Sequence, residues 1–213
     1  MDDFDPGTGL GPRLRLVRGS RQLSVRELAR RVGCSASLIS QIERGVSVPS
    51  VGVLYSLATE LGSSLDYLLF GSGAGPDGVP AAAPPAGAVP DPAAAPSPAI
   101  VQRGCDRRII DLASGVRWER LTPQSEAMTD FLEVIYSPGG HSTDERRPLR
   151  HDGREYGLII SGTLQANVGF ESYELGPGDS IAFDSSTPHE YLNKTGEVVH
   201  AIWVVVHSEP DRA

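Results

Sequence analysis

One stretch of this chain offers nothing to bury, and it sets what the rest can become. Residues 71–99 hold 10 Ala, 8 Pro and 5 Gly. Alanine favours helix, but a proline every few residues removes backbone donors and breaks it. A structureless loop of this length inside a compact domain is uncommon. The stretch therefore predicts a disordered, partly polyproline-II linker over 71–100. Two folded domains are expected on either side of it, at 9–70 and 101–209.

Charge separates the same two parts. The formal net charge of −8 over 213 residues argues against a general nucleic-acid coat. Yet residues 11–50 carry eight arginines (Arg13, Arg15, Arg18, Arg21, Arg26, Arg30, Arg31, Arg44) against Glu27 and Glu43. Residues 101–213 carry 11 basic and 18 acidic side chains. The asymmetry points to nucleic-acid contact in the first segment alone, although a solvated helical surface would give the same count. No run of about 18 apolar residues exists, so no membrane partner is expected. Met1–Asp5 is acidic with no apolar run behind it, which predicts no signal peptide. Cys34 and Cys105 are too few for a disulfide framework and fit a reducing, cytoplasmic setting.

The first domain reads as five short helices. Leu10, Leu14 and Val17 give the first helical spacing. Ser24-Val25-Arg26-Glu27 is a capping box, in which the Glu27 side chain should return to the Ser24 amide. Val25, Leu28, Ala29 and Val32 form the apolar face of that second helix, and Gly33 stops it. Ser35 caps a third helix with Leu38, Ile39 and Ile42 inward. Ser50 and Ser64 cap the last two. Only Gly33-Cys34-Ser35 joins helices two and three, which forces the steep crossing of a helix-turn-helix. The outer face of helix three is Ala36, Ser37, Ser40, Gln41 and Arg44, short or polar enough to approach base edges in a major groove.

The run from Leu23 to Gly45, followed by Val48-Pro49-Ser50, resembles the XRE (phage-repressor-like) helix-turn-helix family. The resemblance implies a double-stranded DNA operator as partner. Bases would be read by Ala36, Ser37, Ser40 and Gln41 at the start of helix three, behind the Ser35 cap. Phosphates would be held by Ser24, Val25 and Arg26 at the amino end of helix two, and by Arg44. Glu43 is expected to be structural.

From residue 107 the pattern changes to short β-rich runs broken by Gly, Pro and Asp: 107–111, 116–121, 131–136, 156–160, 164–168, 173–175, 180–183, 189–193 and 198–206. Many short strands at close spacing predict an all-β sandwich or barrel. His151 and Glu155 lie four apart, on one face of an extended chain. Gly162 follows, then Gly178-Asp179, His189 and Asn193. This pattern resembles the cupin superfamily, a double-stranded β-helix or jelly-roll barrel. The resemblance implies a site of His151, Glu155 and His189, with one departure: Leu149 stands where the family's first histidine belongs. Two histidines and a carboxylate suit one divalent metal, Fe, Zn, Mn or Ni, with open positions. A metal-free pocket that binds an organic effector directly is the alternative. His141 is a candidate stand-in for the missing ligand. Tyr136, Tyr156, Phe183, Tyr191 and Trp203 are candidate walls of an effector pocket, though each could equally be core.

Together these readings predict no enzyme. They predict a transcription regulator that binds an operator and senses an unknown small-molecule effector, as a homodimer by resemblance. A flexible linker transmits no rigid rotation, so the effector should act through dimerisation or through docking of the cupin on the helices. The alternative is a non-haem iron oxidase, since the hydroxypropylphosphonate epoxidases resemble the same XRE-plus-cupin arrangement with His-x3-Glu and a later His.

Overall fold

The computed structural model describes residues 9–71, 100–124, 126, 128–143 and 148–207. The segment read as a linker lies almost wholly outside them. The first domain has five helices: α1 (Leu10–Ser20), α2 (Val25–Val32), α3 (Ala36–Glu43), α4 (Val51–Leu61) and α5 (Leu65–Phe70). Serines start the last four. The hydroxyls of Ser24, Ser35, Ser50 and Ser64 accept from the amides of Glu27, Leu38, Val53 and Tyr67. Each satisfies a donor the helix leaves orphaned, for about 1 kcal/mol. The capping box at Ser24 is only half made. The Glu27 carboxylate turns away from the Ser24 amide to Arg30 and Arg31, at 2.7 and 2.8 Å. Two guanidinium groups bind a carboxylate more strongly than one neutral amide does.

Gly33 ends α2 at φ 76°, a left-handed conformation that a Cβ disfavours. The chain reverses within two residues and α3 crosses α2. Leu14, Leu28, Ile39, Leu54 and Leu57 meet beneath this crossing with no exposed surface.

Nine strands follow among the described residues: β1 (Ile109–Leu112), β2 (Val116–Arg120), β3 (Thr129–Tyr136), β4 (Arg154–Ser161), β5 (Leu164–Val168), β6 (Glu171–Leu175), β7 (Ser180–Asp184), β8 (His189–Leu192) and β9 (Val199–Val206). Each falls where the sequence pattern places it, with ends shifted by a residue or two. All pairings are antiparallel. They form a six-stranded sheet, β1-β2-β3-β9-β4-β7, and a three-stranded sheet, β6-β5-β8. Period-two alternation fills the space between the sheets. On β4, Glu155 and Ile159 are buried while Tyr156, Leu158 and Ile160 are exposed.

The two domains touch directly. The Gly52 amide donates to the Ser142 carbonyl at 3.1 Å, and Ala113 donates to Pro49 at 3.1 Å. Arg108 donates to the Phe70 carbonyl at 3.0 Å. Arg120 faces Asp66 at 3.5 Å, both side chains almost fully buried. A Cβ at position 52 would stand 3.4 Å from the Leu149 side chain, so a small residue there lets α4 lie close on the barrel. The position where the cupin pattern has a histidine therefore holds an apolar contact to α4.

Candidate functional site

The first candidate surface is built on α2 and α3. Ser24, Arg26, Ser35, Ser37 and Arg44 are exposed, and Val25, Ala36, Ser40 and Gln41 are half-buried. All nine sequence-derived positions thus reach solvent. The basic charge of this segment is largely spent internally. Arg18 clamps Glu43 through two hydrogen bonds of 2.5 and 3.0 Å, which gives Glu43 its structural role. Arg30 and Arg31 share Glu27. Arg13 is buried and donates to the carbonyls of Leu68 and Leu69, and Arg21 donates to Leu61. Among the described residues Arg26 and Arg44 form no ion pair, and they flank the α3 face. The Arg30 and Arg31 guanidiniums hold Glu27 down at about 2, well below the usual carboxylate range.

The second candidate site lies inside the barrel. β4 supplies Glu155, β8 supplies His189, and the turn before β4 supplies His151. All three are buried. Glu155 Oε1 lies 2.7 Å from His151 Nε2 and 3.0 Å from His189 Nε2. Glu155 Oε2 accepts from Tyr191 Oη and Trp203 Nε1, each at 2.7 Å. His189 Nδ1 meets the Thr187 carbonyl at 2.8 Å, so the proton sits on Nδ1 and Nε2 presents a lone pair. Both Nε2 atoms are close to Oε1 yet form no hydrogen bond of acceptable angle, and they are buried. Their ligand atoms and Oε1 all lie within 4.8 Å of one another. Two imidazole nitrogens and a carboxylate oxygen converging on one buried point fit a divalent cation. Burial alone would raise the Glu155 carboxyl, but the close approach of the His151 and His189 imidazoles outweighs it and holds the group well below its ordinary range.

The surroundings correct several expectations. Tyr156 does not line a pocket: next to the inward Glu155, it points outward under the Arg154 guanidinium. His141 does not join the triad. Its Nδ1 is held by the Thr143 carbonyl, and the ring faces the other domain. Tyr136, Tyr191 and Trp203 do point inward, but they fill the barrel instead of lining an open pocket. The cavity they border is about 20 Å³, room for about one water. Phe183 packs edge-on to His189 at 5.0 Å. Asn193 is no ligand; its amide ties the carbonyls of Tyr136, Ser137 and Glu197. Gly157 is needed because a Cβ there would stand 2.6 Å from the Trp203 ring.

Tyr55 of α4 is the site residue that sequence reasoning missed. Its ring stacks on His151, centroids 4.3 Å apart and planes 7° from parallel. It meets Trp118 edge-on at 5.9 Å. The helical domain thus supplies part of the wall around the triad. In the sequence Tyr55 reads as one more apolar position on an amphipathic helix, and nothing local signals its partner.

Comparison with known proteins gives two family matches. Residues 14–68 match the helix-turn-helix family model, and residues 132–205 match the cupin domain model. The HTH-type transcriptional regulator PuuR of Escherichia coli (strain K12) is 26% identical over 200 residues, spanning 93% of this chain and 95% of that protein. The structure of an HTH_3 family transcriptional regulator from Vibrio cholerae superposes with a TM-score of 0.63 at 21% identity, covering 94% of this chain and 96% of that one. A hydroxypropylphosphonic acid epoxidase from S. wedmorenis aligns over 93% of this chain and 97% of its own at 19% identity, with a TM-score of 0.43.

Proposed function

We propose that this chain is a helix-turn-helix transcriptional regulator with a C-terminal cupin domain, which reads an operator through α3 while the cupin reports a small-molecule effector through α4. The observation that carries the proposal is Tyr55. One helix packs into the DNA-binding domain and also stacks on a residue of the buried triad, so any change at the triad acts on that helix directly. Ser37, Ser40 and Gln41 read base edges, with Ala36 allowing close approach. Ser24, Val25, Arg26, Ser35 and Arg44 position the phosphates.

His151, Glu155 and His189 would hold the metal, if one is resident, and Thr187 would fix the tautomer of His189. A bound divalent ion would supply positive charge there, with space beside it for about one water. The chain's own residues bury the site and keep both Nε2 atoms aimed at Glu155.

A homodimer fits the outer face of the six-stranded sheet. Tyr156, Leu158 and Ile160 are exposed there beside Ile202 and Val204 of β9. A contiguous apolar face of this kind is a self-association surface. Two α3 helices could then meet half-sites about one DNA turn, roughly 34 Å, apart.

The test is anisotropy of purified protein with duplex DNA from upstream of its own gene, against a scrambled duplex at fixed salt, alongside metal analysis. A specific complex at least about 1,000-fold tighter than the scrambled one supports the regulator. Changing Ser37 and Gln41 to alanine should erase that discrimination and leave non-specific binding intact. Stoichiometric iron with no specific DNA binding would overturn this reading in favour of an oxidase.

A further inference from the structure

The room for an organic ligand lies between the domains and not inside the barrel. A cleft of about 720 Å³ separates the helix-turn-helix from the rim of the cupin. The barrel cavity beside the triad is about 20 Å³. Sites for drug-sized ligands run to about 300–1,000 Å³ and favour domain interfaces. One wall of the cleft is Cys34 and Leu38, from the turn and the start of the recognition helix. A second is Val53 and Ser56 of α4. The third is His141 and Arg150 of the barrel. Leu38 and Val53 give it an apolar floor. Among the described residues Arg150 is exposed and forms no ion pair, and none of those that line the cleft carries a carboxylate.

We propose that this cleft is the effector site and that it takes a small organic anion with an apolar body, its carboxylate held by Arg150 and its body against Leu38 and Val53. Arginine's planar fork suits a carboxylate, and the bond is charge-assisted. The occupant touches the recognition helix on one side and the barrel on the other. It therefore binds the docked arrangement of domains and not the separated one, and it shifts the population toward docking. The proposal rests on the regulator reading only in calling the occupant an effector.

Cys34 is a built-in reporter, a half-buried cysteine of the cleft wall that is in no disulfide. In the full chain with Cys105→Ser it is the sole thiol. The rate of its reaction with a disulfide reagent is measured with 4-phenylbutyrate as probe and with 4-phenylbutylamine as its cationic counterpart. The acid should slow labelling at least about tenfold at saturation, and the amine should not. Arg150→Gln should weaken the acid about tenfold, the loss of one charge-assisted hydrogen bond. Val53→Trp, which fills the cleft, should slow labelling without any probe and abolish the response. No protection by the acid, equal protection by the amine, or undiminished protection in Arg150→Gln overturns the proposal. Operator binding is measured on the same samples. Protection without specific DNA binding would keep the cleft and remove the regulator; specific DNA binding without protection would do the reverse.

Discussion

Replacing Tyr55 by alanine should release the two domains from each other. Tyr55 is 7% exposed, and its ring contacts are to His151 and Trp118, both in the barrel. Truncating a buried aromatic costs about 3–5 kcal/mol. Its partners lie across the interface, so the larger share falls on docking and the smaller on α4 within the helical domain. Taking about 3 kcal/mol as the interface share, the ratio of docked to undocked molecules falls roughly 100-fold. Tyr55→Phe keeps the ring and the stacking, and should stay docked. Calorimetry should show one cooperative transition for the parent and Tyr55→Phe, and two for Tyr55→Ala. Small-angle scattering should show a larger radius of gyration for Tyr55→Ala alone. A Tyr55→Ala protein with unchanged scattering and a single transition would refute the claim that this ring couples the domains.

Further outcomes follow from the same geometry. Three arginines of the segment, Arg15, Arg26 and Arg44, stand outside these internal bonds, and in this reading Arg26 and Arg44 meet phosphate on each protomer, so a dimer should show a log–log salt slope of about −4, at about −0.9 per phosphate neutralised; a slope near −10 in anisotropy titrations would mean that the internal pairs open on DNA. Glu155→Gln should weaken divalent-metal binding in titration calorimetry by more than the roughly 10–100-fold that loss of an outer-shell partner costs, because it removes a ligand charge. Burial pulls the His207 imidazole down, but the Asp130 carboxylate at 2.7 Å overrides it and raises the group above its ordinary value. The stability this pair adds is therefore full below about pH 6.5 and is lost as pH rises through the raised folded value. Denaturant midpoints should show that loss in the parent and not in Asp130→Asn. Leu158→Glu on the outer sheet face should give a monomer in sedimentation and weaken operator binding without unfolding the barrel, since Leu158 is 40% exposed.

Much of the candidate chemistry was legible because it is local. The serine caps follow from the first turn of each helix, and the inward set of each strand follows from a period of two. His151 and Glu155 could be paired from their spacing, and His189 from the pattern that the cupin resemblance supplied. Where local reading failed, a competitor lay close by in space. The second half of the Ser24 box lost to two arginines. Tyr156 is aromatic like the true wall residues, but its neighbour Glu155 takes the inward face and the period of two turns Tyr156 outward.

The sequence by itself determined that there are two folded units of different class, where their helices and strands run, and which three side chains form the triad. These depend on periodicity, capping and turn chemistry, which act over a few residues. Only the tertiary structure decided how charge and space are shared between distant segments. Eight arginines suggested a broad basic surface, yet five of them bind acids or carbonyls within the helical domain. Aromatics spread over the second domain suggested a pocket, yet they close the barrel and leave the open volume beside α4. Tyr55 stacks on His151 across 96 residues of sequence, and packing of that range is fixed by the whole fold, with no trace in any local pattern.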